Sequence, residues 1–198
     1  MKIIGGSLVV GAGFGAATSL VNAVSSPYSL GAPLTGTVWM SAAKVLSLLM
    51  DAGWAWAALA VVVGRSAGTR ARGAVAGVLA LVAATAAYYA TDSFARDEPF
   101  AWYGGEMLMW WAASVLFGSA LGAVGAAVGR PGVIGLLAGL TVPVGAAVQM
   151  IILPPGSRIT SIPESDLAVA IVWTAAVAGA IWAVHRFWTA KSETVTGR

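Results

Sequence analysis

Three apolar stretches of this chain open on a carboxylate and carry a tryptophan one or two helical turns further in: Asp51 with Trp54, Glu106 with Trp110, and Asp166 with Trp173. An acidic side chain in or at the edge of a lipid-facing segment is costly, so it belongs on a protein interior or a wet cavity. An apolar surround disfavours a charged carboxylate, and a neutral carboxylic acid can protonate an alkene or an epoxide. Aromatic faces tolerate positive charge without reacting with it, at about 0.5–2 kcal/mol per contact. A proton donor walled by aromatic rings therefore suits carbocation chemistry on a greasy substrate. The candidate catalytic residues are Asp51, Glu106 and Asp92, with Trp54, Tyr88, Tyr89, Trp110 and Trp111 as the substrate-binding wall.

Each of these residues also has a plainer reading. Asp51 lies seven residues after Lys44, two turns along one helical face, so the two could form an ion pair. Asp92 and Asp166 read equally well as solvated helix boundaries. Glu106 reads as a first-turn charge stabilised by its helix dipole. Trp39, Trp102, Tyr103 and Trp188 fit the interfacial belt that Trp and Tyr form at headgroup level. Trp54 and Trp56, next to Asp51 and close to mid-membrane, fit that belt less well.

The elements that must hold these groups follow from composition. Of 198 residues, 59% are hydrophobic and 10% charged, and the mean hydropathy is +0.84. A soluble domain has about a quarter of its residues charged, so the expected class is an all-α integral membrane protein. Crossing ~30 Å of hydrocarbon takes about 20 apolar residues. Six such segments fall near 3–24, 41–64, 73–91, 105–129, 132–152 and 166–188. They predict a bundle of about six transmembrane helices in a single domain, 1–198.

With both termini cytoplasmic, Lys2, Arg65, Arg70, Arg72, Arg130, Arg186, Lys191 and Arg198 all fall inside, and only Arg96 and Arg158 outside. That is the asymmetry of the positive-inside rule, and the expected location is a bacterial inner membrane, crossed several times. The net charge of +3 is then topological and implies no nucleic-acid partner. In this orientation Asp51 and Glu106 both lie toward the outer half. Two stretches resemble each other weakly, Asp51 to Val75 and Glu106 to Val133, and such a repeat would set Asp51 and Glu106 across a shared cleft.

Several chemistries have no support. There is no Cys, and His185 is the only His, so no thiolate, histidine triad or His/Cys metal cluster can be built, and no metal or cofactor is expected. Gly11, Gly13 and Gly15 sit within an apolar helix rather than after a strand, so they do not make a nucleotide loop. Gly118, Gly122, Gly125 and Gly129 read as a close-packing face, suited to helix contact or oligomerisation. Pro143 is expected to kink the fifth helix.

Leu49-Met50-Asp51-Ala52-Gly53-Trp54-Ala55-Trp56-Ala57, Arg72-Gly73-Ala74-Val75-Ala76-Gly77 and Ala86-Ala87-Tyr88-Tyr89-Ala90-Thr91-Asp92 resemble small actinobacterial multi-spanning membrane proteins. Some similar proteins are integral-membrane terpene cyclases, including those of drimentine-type indole sesquiterpenoids. The resemblance implies cyclisation begun by a carboxylic acid, on a prenylated or polyprenyl substrate entering from membrane lipid. It covers the second and third segments and carries no catalytic positions across. Two other functions use the same features. A small permease would have a protonatable, outward-facing pocket, and an accessory subunit would use its polar groups for assembly.

Overall fold

The computed structural model describes residues 2–155 and 162–196, and every regular element among them is helical. The helices are α1 (Lys2–Ser25), α2 (Val38–Met50), α3 (Gly53–Arg65), α4 (Arg70–Arg96), α5 (Gly104–Gly125), α6 (Val133–Ile152) and α7 (Pro163–Thr196). Five are long and apolar enough to cross a membrane, and α2 and α3, bent by 62° at their junction, make a sixth if taken together as one broken span. Arg158 and Arg198, and the side chains of Lys2 and Lys191, lie outside the described residues.

Lipid is as apolar as leucine, so helices in a bilayer associate through close packing rather than by hiding apolar surface. The core here is accordingly built of small residues. A methyl group on Gly11 or Gly15 of α1 would overlap the carbonyl oxygen of Ala80 or Ala84 of α4. Gly73 and Gly77 of α4 meet Gly122 and Gly118 of α5 in the same way. At the same end of the bundle, Gly64 of α3 lies against Gly122, and Gly125 against Val61. Ala60, Ala76, Ala80 and Ala84 fill the space between, with Leu59, Val63 and Leu81. Many of the larger apolar side chains, such as Val62, Leu116 and Leu137, remain on the outside.

The α6–α7 hairpin is a second packing unit. Gly139 faces Ala183, and Gly179 leaves room for the Pro143 ring. Its core is Ala146, Met150, Val172 and Ala176, against which Leu49 and Trp54 pack. It meets the other helices chiefly through α2 and α3, and scarcely touches α5. The two hairpins that look alike in sequence therefore differ in space. α3 and α4 pack closely, whereas α5 and α6 do not, and only the first hairpin begins with a broken helix.

That break corrects the expectation of one continuous helix over 41–64. α2 closes with the Asp51 N–H donating to the Ser47 carbonyl at 2.9 Å. Ala52 is extended, with φ −69° and ψ 139°, and α3 restarts at Gly53. Thirteen residues lie on each side, so the break falls at the middle of the span. Backbone polar groups exposed at that depth must find partners within the protein. Ala52 has no side chain to cap α3, and the acceptor comes from another helix: Gln149 Oε1 of α6 accepts from the Trp54 N–H at 2.8 Å.

Candidate functional site

Because α3 and α5 touch at their glycine ends, α3, α4 and α5 enclose a cavity of about 530 Å³ toward their other ends. A volume of roughly 300–1,000 Å³ is typical of small-molecule sites. Each helix supplies one face at helical spacing: Gly53, Trp56 and Ala57 from α3, Leu81, Thr85, Tyr88 and Tyr89 from α4, and Trp110, Ala113, Ser114, Phe117 and Leu121 from α5. Asp51, at the helix break, completes the wall; the carboxylic acid expected to be buried is exposed, and it is the only carboxylate of the wall among the described residues. Trp110 and Phe117 are more than half exposed, at 51% and 58%, so this side of the cavity opens outward between helices, where lipid would lie.

The polar atoms of this wall have defined partners. Asn22 of α1 donates from Nδ2 to the Tyr88 hydroxyl at 3.1 Å and accepts from the Ser47 hydroxyl of α2 at 2.5 Å. It also stands within reach of the Asp51 carboxylate. Three helices thus converge on one amide beside the acid. Thr85 and Ser114 donate to the carbonyls of Leu81 and Trp110 one turn back, leaving only oxygen lone pairs for an occupant. No cation pairs with Asp51 among the described residues, where Arg96–Asp92 is the one ion pair. Lys44 instead lies near Glu164, which accepts from the Ser41 hydroxyl at 2.7 Å.

Four of the eight residues singled out from sequence line the cavity: Asp51, Tyr88, Tyr89 and Trp110. Glu106 is exposed in the first turn of α5, outside the lining, and accepts from the Tyr89 hydroxyl at 3.2 Å. It meets the site through that ring. Asp92 is buried outside the cavity, with Arg96 Nε 3.0 and 2.9 Å from its two oxygens. The Tyr103 hydroxyl lies 3.0 Å from Asp92 and 2.6 Å from Glu98, so this cluster ties the end of α4 to the turn before α5. Trp54 belongs to the α6–α7 core, and its indole N–H has no partner among the described residues. Trp111 donates to the Val82 carbonyl at 3.2 Å and fastens α5 to α4.

Sequence reasoning missed Trp56, Thr85, Ser114 and Phe117 as wall residues. The stripe 110, 113, 114, 117, 121 on α5 has the spacing of one helix face and was the available signal. Trp56 lies one turn after Ala52, at the centre of an aromatic run: its ring is 5.4 Å from Phe14 and 6.3 Å from Tyr88, which is 5.3 Å from Tyr89. The described residues hold no cluster of three or more metal-ligating side chains. No protein-family model matches the chain, and no curated protein or solved structure matches it. The chemistry of the cavity therefore rests on its own residues.

Proposed function

We propose that this protein is a membrane-embedded, protonation-initiated terpene cyclase acting on a prenylated or polyprenyl substrate. One observation carries the reading: Asp51, the single carboxylate among the described residues of a mainly apolar and aromatic cavity, has no cationic partner among them. In the proposed reaction the Asp51 carboxylic acid gives its proton to a terminal alkene or epoxide of the substrate. The π electrons of the next double bond close the ring onto the cation so formed. Loss of a proton from the final cation, to the Asp51 carboxylate or through Tyr89 to Glu106, completes an isomerisation with no other reactant. Trp56, Tyr88, Tyr89 and Trp110 face the migrating charge and hold it electrostatically. The outward opening beside Trp110 and Phe117 suits entry from lipid.

The arginines at one end of the bundle, among them Arg65, Arg70, Arg72 and Arg130, support a cytoplasmic position for that end and for both termini, in a bacterial inner membrane. The cavity then lies in the outer half. The test is to incubate purified protein with farnesylated indoles and analyse products by mass spectrometry, wild type beside Asp51→Asn and Glu106→Gln. Positioned acids contribute about 10²–10⁴-fold, so Asp51→Asn should lose at least two orders of magnitude of product and Glu106→Gln less. Undiminished product from Asp51→Asn would sink the assignment.

A second reading is a proton-coupled permease, favoured by the helix break at mid-span beside Asp51. Discontinuous helices of this kind form ion and substrate sites in transporters. Uptake into proteoliposomes that depends on a proton gradient, with no product formed, would select it.

A further inference from the structure

A second cleft, of about 130 Å³, lies at the arginine-bearing end, away from the cavity. Its walls are the turn between α5 and α6, with Gly129, Arg130 and Gly132, and the late part of α7, with Trp182, Arg186 and Phe187. At about 30 Å³ per water this is room for some four waters, enough for one small polar group and not for a whole ligand.

The cleft is built around Arg186. Its guanidinium turns back from α7 and donates from Nη2 to the Gly129 carbonyl at 3.4 Å, while its central carbon sits 5.6 Å from the Trp182 ring centre. Gly129 is required for this. It has φ +93°, and a Cβ there would lie 2.8 Å from Arg186 Nη2. Arginine carries five N–H donors, and Arg186 commits one to Gly129. Arg130 lines the same cleft, and no carboxylate of the described residues pairs with either guanidinium. Phe187 and Trp188 meet edge to face at 5.7 Å beside them, a pair suited to headgroup level. Next in sequence to the lining residues Leu136 and Trp182, Leu137 of α6 and Ile181 of α7 are 61% and 64% exposed and offer apolar surface on the two helices that form the cleft.

We propose that this cleft binds the phosphate group of an anionic phospholipid, held between Arg130 and Arg186, with the acyl chains lying along Leu137 and Ile181. Guanidinium groups match phosphate oxygens in a planar fork. A basic pocket between helices at the membrane boundary is a site for such headgroups. Trp182 and Gly129 hold Arg186 in place beforehand, so little ordering remains for binding.

The test is native mass spectrometry of the full chain in detergent, titrated with phosphatidylglycerol and, separately, with phosphatidylcholine. One phosphatidylglycerol per chain should be retained at concentrations where phosphatidylcholine is not. Arg130→Gln and Arg186→Gln should each weaken it by about fivefold and the pair by about 25-fold. Arg186→Lys should fall between Arg186→Gln and wild type, because it keeps the charge and loses the fork. Arg65→Gln/Arg70→Gln, at the same end but outside the cleft, should leave binding unchanged. Equal retention of the two lipids, or equal loss in the Arg65/Arg70 variant, overturns the proposal. Displacement of the lipid by millimolar inorganic phosphate would identify free phosphate, rather than a headgroup, as the occupant and overturn the lipid assignment. A melting curve for each variant confirms that it folds.

Discussion

Among the described residues Gln149 alone caps the restart of α3 with its side chain, and replacing it tests whether the break is held from α6. In Gln149→Leu the Trp54 N–H loses its 2.8 Å acceptor, and Ala52 offers no substitute. Leaving this part-buried donor unpaired costs about 1–3 kcal/mol. For a chain of this size that lowers the melting temperature on the order of 5 °C. Because the loss is local, amide exchange at residues 53–55 should quicken by roughly 5- to 150-fold, tenfold for each 1.4 kcal/mol, while the glycine-packed ends of α4 and α5 stay as protected as before. Gln149→Glu keeps an acceptor oxygen at the start of α3 and should recover most of both effects. Product formation should fall in Gln149→Leu, since Asp51 stands two residues before the restart of α3 and loses its fixed place. Unchanged melting together with unchanged exchange at 53–55 would refute the reasoning.

Gly122→Ala should destabilise the bundle by about 1–3 kcal/mol or more, measured by thermal melting in detergent, because the added methyl meets the backbone of Gly73 and Gly77 rather than movable side chains. Asp92→Asn should reduce stability by about 1–2 kcal/mol, as Arg96 is half exposed and loses a partner that is buried, yet leave the product pattern unchanged; an altered product spectrum would return Asp92 to the chemistry. Trp56→Leu keeps apolar bulk and removes the ring face, so mass spectrometry should show more early-terminated products with total conversion reduced about tenfold or less.

The sequence shows the spans because lipid imposes a long apolar run that few residues interrupt, and the helix limits fall within a few residues of the expected ones except at Asp51–Gly53 and at the end of α7. The break is invisible to hydropathy, since Asp51, Ala52 and Gly53 are three residues within an apolar window. What stabilises it, Gln149, lies almost a hundred residues away. Residue type identified Asp51, Tyr88, Tyr89 and Trp110, because a carboxylate or phenol within a span demands an explanation. It did not separate Trp54 from Trp56. Two residues along a helix turn a side chain by about 200°, and which face looks into the cavity depends on where α3 restarts. Asp92 drew attention by its type, and its Arg96 partner one turn on, i to i+4, was legible as a structural pair.

Gly64 lies about 10 Å along α3 from the cavity-lining Ala57, while on α5 Gly122 directly follows the lining Leu121 and Gly125 lies about 12 Å from Phe117. Mechanically they are a fulcrum, and the two helices are levers. A methyl group at Gly64, Gly122 or Gly125, none of which lines the cavity, would push these helices apart and so bear on the width of the opening from a distance.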